Sequence, residues 1–173
     1  MGVTAETVRV PMAEFRIDAG NHAKFSTSGV GSCVAVCALD TDSGIAGMLH
    51  AALPLSQADS DGGRQQPAMY VDTGIVAMRN AMIEAGASPQ GLQAWLLGGA
   101  SVIASDDADL FRMGKRNVTV AIVILAELEI LLAGEDTGGR HARSVDFFPA
   151  ERTLNIRTAG SANAIQWDSN GQD

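Results

Sequence analysis

Residues 33–50 constrain this chain most, because they read as a hairpin whose two arms carry a thiol and an imidazole. Alternation in 33–39 and again in 45–50 predicts two strands, and Asp40-Thr41-Asp42-Ser43-Gly44 supplies turn residues between them. A hairpin centred between Thr41 and Asp42 pairs Cys33 with His50. Directly opposed residues on one sheet face hold their Cβ atoms about 4.5 to 5.5 Å apart, near enough for a thiol and an imidazole to exchange a proton. A slip of one residue would send the two groups to opposite faces. The same residues also fit a buried core thiol beside an unrelated strand histidine, since free cysteine is among the most buried residue types.

Upstream, Gly29-Val30-Gly31-Ser32 is a loop of small residues ending on Cys33. Its two glycines leave backbone N–H groups unshielded, which a nucleophile needs if the amides beside it are to hold a developing oxyanion. Cys33 is therefore the candidate nucleophile, with Gly31 and Ser32 as the oxyanion and substrate loop.

Thr27, Gly29-Val30-Gly31-Ser32-Cys33-Val34 and Gly47-Met48-Leu49-His50 followed by Leu53-Pro54 closely resemble the signature of the chemoreceptor glutamine deamidase family, CheD. The resemblance continues through Tyr70-Val71-Asp72, Gly98-Gly99-Ala100, Gly114-Lys115-Arg116-Asn117 and Asp136-Thr137-Gly138-Gly139-Arg140 with Arg143. These blocks keep their order and cover most of residues 25–157. The resemblance implies a catalytic set of Cys33, His50 and Thr27. It implies hydrolysis of glutamine side chains to glutamate, with release of ammonia, on the cytoplasmic helices of methyl-accepting chemotaxis receptors, and methyl esters as a side substrate. It also implies a CheC-type phosphatase as a regulatory partner; a cytoplasmic location and no cofactor are expected. One departure is Trp95, which stands where the family often has Lys. Trp95 motivates a second reading, a non-catalytic binding module that occupies the phosphatase or the receptor; a third is a general cysteine hydrolase of small amides.

At 173 residues the chain suits one domain spanning 1–173 with a single substantial core. Its 46% hydrophobic and 18% charged residues argue against extended disorder. A formal net charge of -8 without a dense basic cluster excludes nucleic acid and anionic membrane surfaces as expected partners, because both are held by Lys and Arg neutralising phosphates. The two cysteines, Cys33 and Cys37, are too few for a disulfide framework, and in an extended strand their spacing spans roughly 13 Å. Both are expected as free thiols, as a reducing cytoplasm allows. His22, His50 and His141 lack the close ligand pairing of a zinc site, so no metal is expected. Glu6 and Arg9 break any apolar signal core, and the longest apolar run, 118–126, is too short to span a bilayer.

The pattern predicts an α+β domain of mixed β-sheet layers packed with helices, with the hairpin at its surface. Short strands are expected at 7–10, 13–17 and 22–27, and a mobile loop at 56–67. Ile75, Met78, Met82 and Ala85 recur at helical spacing, predicting a helix over 70–85. A strand at 92–97 runs into Gly98-Gly99, which lacks the flanking residues of a nucleotide loop and is read as a close backbone approach to the active-site strands. Asn117 is placed to cap a segment over 118–128 whose Val and Ile content also suits a buried strand; the resemblance implies a helix there, followed by strands at 130–133, 142–148 and 153–158. Residues 1–5 and 161–173 are expected as flexible tails, the latter with Trp167 as its large anchor.

Overall fold

Every residue of the strand Val34–Asp40 is buried, because it is the middle strand of a sheet covered on both faces. The computed structural model describes residues 5–20, 23–56, 61–102 and 108–167. In chain order the elements are β1 (Thr7–Arg9), β2 (Glu14–Asp18), β3 (Lys24–Val30), β4 (Val34–Asp40), β5 (Ala46–Ala51), α1 (Gly62–Gln65), α2 (Val71–Glu84), β6 (Leu92–Gly98), α3 (Ala108–Glu127), β7 (Leu131–Thr137), β8 (Arg143–Phe148), β9 (Thr153–Thr158) and β10 (Ser161–Gln166). One five-stranded sheet has the order β1-β3-β8-β9-β10 and the other β2-β5-β4-β6-β7.

Alternation along β4 sorts its side chains between two apolar layers, as the period of two in a strand dictates. Val34, Val36 and Ala38 pack with Ile75, Met78 and Met82 of α2 and Leu125 of α3. Ala35, Cys37 and Leu39 pack with Phe25, Val145, Phe147 and Leu154 of the other sheet. The molecule is thus a stack of helices, sheet and sheet, the α+β class that the sequence predicts.

Four expectations change. The Cys33–His50 hairpin does not lie at the surface, since β5 too is buried throughout. Asn117 is not a helix cap, because α3 begins at Ala108 and carries Asn117 in its interior. Residues 161–166 are not a tail but the edge strand β10, paired with β9 from Ser161↔Thr158 to Gln166↔Thr153. Within the loop 56–67, residues 62–65 form the single turn α1, while 57–60 lie outside the described residues, as do 1–4, His22 and 168–173.

Trp167 explains why β10 is held in place. It is 1% exposed, its backbone N–H donates to the Arg152 carbonyl at 2.6 Å and its indole N–H to Gln93 Oε1 at 3.0 Å. Its ring stacks on Phe147 at 5.5 Å between centroids and meets Trp95 edge-on at 6.4 Å. Truncating a buried tryptophan of this kind costs about 3 to 5 kcal/mol.

Candidate active site

The hairpin register places Ala35, not Cys33, opposite His50. This is a shift of two residues from the expected pairing, and a shift of two preserves side-chain parity. Ala35, Cys37, Met48 and the partly buried Cys33 all belong to the layer between the sheets, and His50 shares the parity of Met48 on β5. Cys33 and His50 therefore share one face as diagonal neighbours. Such neighbours lie roughly 7 to 8 Å apart at their backbones, and no hydrogen bond joins Cys33 Sγ to the His50 ring, so the direct thiol–imidazole contact expected from the sequence is not made.

Thr27 enters the same layer from β3, one residue after a strand position paired with Asp146 and just before a bulge. Its Oγ1 stands 2.8 Å from His50 Nδ1 and 2.7 Å from the carbonyl oxygen of Val10. A hydroxyl has one proton, and the Val10 carbonyl can only accept, so Thr27 donates there and accepts from His50. Nδ1 therefore carries the imidazole proton, and the lone pair sits on Nε2. That nitrogen is buried and has no hydrogen-bond partner among the described residues. With His50 only 2% exposed, burial pushes its pKa down to about 4, so the ring is neutral near pH 7. Burial pushes the Cys33 thiol up, while its own backbone N–H pulls the other way.

The loop that carries Cys33 is fastened by three successive carbonyls. Ala100 N–H donates to Gly31 O at 2.8 Å, Asn117 Nδ2 to Ser32 O at 2.8 Å and Gly99 N–H to Cys33 O at 2.8 Å. The fully buried Asn117 also donates to Ala52 O at 3.1 Å, tying the chain just after β5 to the loop that precedes Cys33. This closeness requires glycine. A Cβ on Gly98, which sits at φ +103°, would collide with Cys33 O and Val30, and one on Gly114 would collide with the carbonyls of Gly99 and Ala100. Gly98-Gly99 thus approach the Cys33 loop and the start of β4 closely, as expected of this glycine pair.

Of the loop amides, Gly31 N–H is engaged by Gly29 O at 3.0 Å, whereas the Ser32 and Cys33 N–H groups meet no backbone or side-chain oxygen among the described residues. Over the thiol lies Met12, its Sδ 3.8 Å from Cys33 Sγ and its side chain largely exposed. The next residue, Ala13, takes a positive φ of 64° and donates its N–H to His50 O at 2.8 Å, which fixes the turn that delivers Met12. Met12 and Val10 carry no sequence signal of a role. Asn117 does, as the end of the Gly114-Lys115-Arg116-Asn117 block. Among the described residues no group of three or more His, Cys, Asp or Glu is arranged to hold a metal ion.

Trp95 is half-buried. Its ring lies over Gly134, where a Cβ would collide with it, and packs against Trp167.

Fold and site together define an α+β protein that holds a partly buried thiol and a buried neutral imidazole on one face, between its two packed sheets. The chain belongs to the CheD family: a family model described as CheD chemotactic sensory transduction matches residues 52–158. Thr27, Cys33 and His50 precede that segment and rest on the geometry above. The chain is 32% identical over 157 residues to the probable chemoreceptor glutamine deamidase CheD of Caldanaerobacter subterraneus subsp. tengcongensis, covering 90% of this chain and 95% of the relative. It is 38% identical over 142 residues to the probable chemoreceptor glutamine deamidase CheD of Haloarcula marismortui, covering 82% and 79%. It is 35% identical over 157 residues to the chemoreceptor glutamine deamidase CheD of Halalkalibacterium halodurans, covering 88% and 94%. A crystal structure of Neisseria meningitidis protein NMB0706 superposes with a TM-score of 0.41 at 13% identity, over 78% of this chain and 63% of that one.

Proposed function

We propose that this chain is a protein-glutamine deamidase acting on chemoreceptors, with Cys33 as nucleophile and His50 as proton carrier. The observation that carries the reading is the Thr27–His50 contact, because it leaves the lone pair of Nε2 free on the thiol's face of the sheet. The resting pair is a neutral thiol and a neutral imidazole, since burial disfavours the charged form of both. Proton transfer from Sγ to Nε2 then accompanies attack on the side-chain carboxamide carbon of glutamine. The Ser32 and Cys33 N–H groups receive the oxyanion. As the C–N bond breaks, Nε2 returns the proton to the departing ammonia, leaving a thioester on Cys33. Water adds to the thioester carbon and gives a proton to Nε2, which passes it to the leaving thiolate, and glutamate is released. Throughout, Nδ1–H stays on Thr27, so the imidazolium that forms is held in place.

The receptor's cytoplasmic helices are the proposed substrate, their methyl esters a secondary one, and a CheC-type phosphatase the proposed regulator, all on the resemblance to the family. The proposed location is the cytoplasm. No helix of the described residues is long and apolar enough to cross a membrane. Against the alternative of a non-catalytic binding module, its motive Trp95 is half-buried and packs against Gly134 and Trp167.

The test is a mass map of a receptor cytoplasmic fragment before and after incubation, with ammonia measured in parallel. Wild type should convert a few helix-surface glutamines to glutamate, and Cys33→Ser none while still binding the fragment. Turnover of free glutamine at a comparable rate would instead identify a small-amide hydrolase. Binding without conversion by wild type would identify a binding module.

A further inference from the structure

A groove of about 650 Å³ opens beside Met12 and Thr27, on the outer side of β1 and β3. It is lined by Arg9, Lys24 and Arg157, three of the 12 Lys and Arg residues in a chain of net charge -8. One acidic side chain, Asp146, faces them. Asp146 receives Arg157 Nη1 at 2.7 Å, Ser26 Oγ at 2.8 Å and the Lys24 ammonium at 3.5 Å. Three cations against one carboxylate leave an excess of positive charge in a concave setting, where low-dielectric walls concentrate the field.

Arg9 is the informative member. It is exposed and makes no hydrogen bond or ion pair with the described residues, so the fold does not need its charge. The parallel pairing of β1 with β3 sets Arg9 beside Ser26, next to Thr27, and Thr7 beside Lys24. Lys24 lies three residues from Thr27, roughly 10 Å along the strand and about two turns of an α-helix. The end of the groove nearest the thiol is covered by the apolar Met12, suited to the methylene groups of a glutamine side chain; the far end is cationic.

We propose that this groove reads a carboxylate on the substrate polypeptide, one to two helical turns from the glutamine that Cys33 attacks, with Arg9 as its principal contact. The inference rests on the deamidase reading for its glutamine but not for its charge preference. A local cationic groove on an acidic protein orients an acidic helix that the overall charge would repel, and fixes which glutamine is presented.

The experiment uses the full chain and two fluorescent helical peptides. Both carry one glutamine; one has Glu four and seven residues away, the other Ala at those positions. Fluorescence anisotropy should show the Glu peptide binding about tenfold tighter to wild type, and the preference should vanish near 1 M salt, where the screening length is about 3 Å. Arg9→Glu should abolish the preference and Arg9→Lys should keep most of it. The rate of Cys33 alkylation should be equal in all three proteins, because Arg9 lies outside the catalytic set. Equal affinities for the two peptides in wild type, or an undiminished preference in Arg9→Glu, overturns the proposal. Ammonia release is followed in the same samples. A wild type that prefers the Glu peptide yet releases no ammonia leaves the groove standing and removes the deamidase reading.

Discussion

Thr27 fixes the tautomer of His50 across the gap between the two sheets. Its hydroxyl takes a hydrogen bond from Nδ1 at 2.8 Å and gives its own proton to Val10 O at 2.7 Å, so a backbone carbonyl beside β1 decides which nitrogen of a β5 side chain keeps its lone pair. Removing the hydroxyl should unlock the ring. Thr27→Val nearly conserves volume and leaves Nδ1–H buried without an acceptor, a cost of about 1 to 3 kcal/mol. We expect stability to fall by that order and kcat to fall at least tenfold with KM little changed, while Thr27→Ser recovers most of the rate. The readout that separates positioning from packing is the ¹⁵N spectrum of His50: one tautomer in wild type and Thr27→Ser, a mixture in Thr27→Val. A single unchanged tautomer in Thr27→Val would remove Thr27 from the mechanism.

The lowered pKa of His50 sets two pH dependences. Burial brings it from 6.5 to about 4 in the folded protein, so between these values the unfolded chain takes up a proton that the folded chain does not. Stability linked to His50 is thus complete above about pH 6.5 and is lost as pH falls towards 4, by at most about 3 kcal/mol. Urea titrations at a series of pH values on wild type and His50→Asn should show a steeper decline for wild type in that window. Acylation in the proposed mechanism needs neutral Nε2, so kcat/KM should hold well below pH 6.5 and fall only as pH approaches 4. An acid limb centred near 6.5 would show that the ring is solvated during turnover.

Cys33 and Cys37 should differ in reactivity for reasons of burial. Cys37 is completely buried, which pushes its pKa far up, while Cys33 is partly exposed beneath Met12. Iodoacetamide should label Cys33 alone in the native protein. Because the Cys33 thiol is also raised, its labelling rate should keep climbing above pH 8, and Met12→Ala should speed it by uncovering the sulfur. A labelling rate already maximal at pH 6 would reveal a preformed thiolate–imidazolium pair, contrary to the neutral resting state.

The hairpin shows how far a sequence pattern reaches. Its two strands and the shared face of Cys33 and His50 follow from period-two alternation, but the pairing moved by two residues because of the turn. Asp40 O accepts Gly44 N–H at 2.8 Å, Asp40 N–H donates to Ile45 O at 2.9 Å and the Asp40 carboxylate takes Ser43 Oγ at 2.7 Å. These bonds close a four-residue loop centred one position later than a tighter turn would be. The first half of α3 was invisible for another reason: Gly114 is a poor helix former kept there for its contact with Gly99 and Ala100, and Arg112, Lys115 and Arg116 interrupt any apolar stripe. Strand β10 carries an almost wholly exposed face, so no alternation marks it before Trp167 anchors its end. The Thr27–His50 contact joins residues of two different sheets, and only the resemblance brought them together in advance.

Asn117 supplies the last prediction, in which two measurements should move in opposite directions. Its amide holds Ser32 O at 2.8 Å and Ala52 O at 3.1 Å from the interior of α3, at a position with no exposed surface. Asn117→Ala strands both carbonyls and opens a small cavity, so stability should drop by roughly 2 to 4 kcal/mol. The Gly99 and Ala100 bonds to the loop remain, which keeps Cys33 near its place but lets the Ser32 peptide tilt. An oxyanion donor that tilts loses most of its value, so kcat should fall by at least about tenfold, corresponding to 1.4 kcal/mol of transition-state stabilisation. Alkylation of Cys33 asks only for access, so the loosened loop should react with iodoacetamide faster than wild type does. Slower deamidation with faster alkylation marks Asn117 as a positioning residue for the oxyanion amides. If both rates fall together, the substitution has damaged the fold around Cys33; if deamidation is unchanged in a folded variant, the Ser32 peptide plays no part in catalysis.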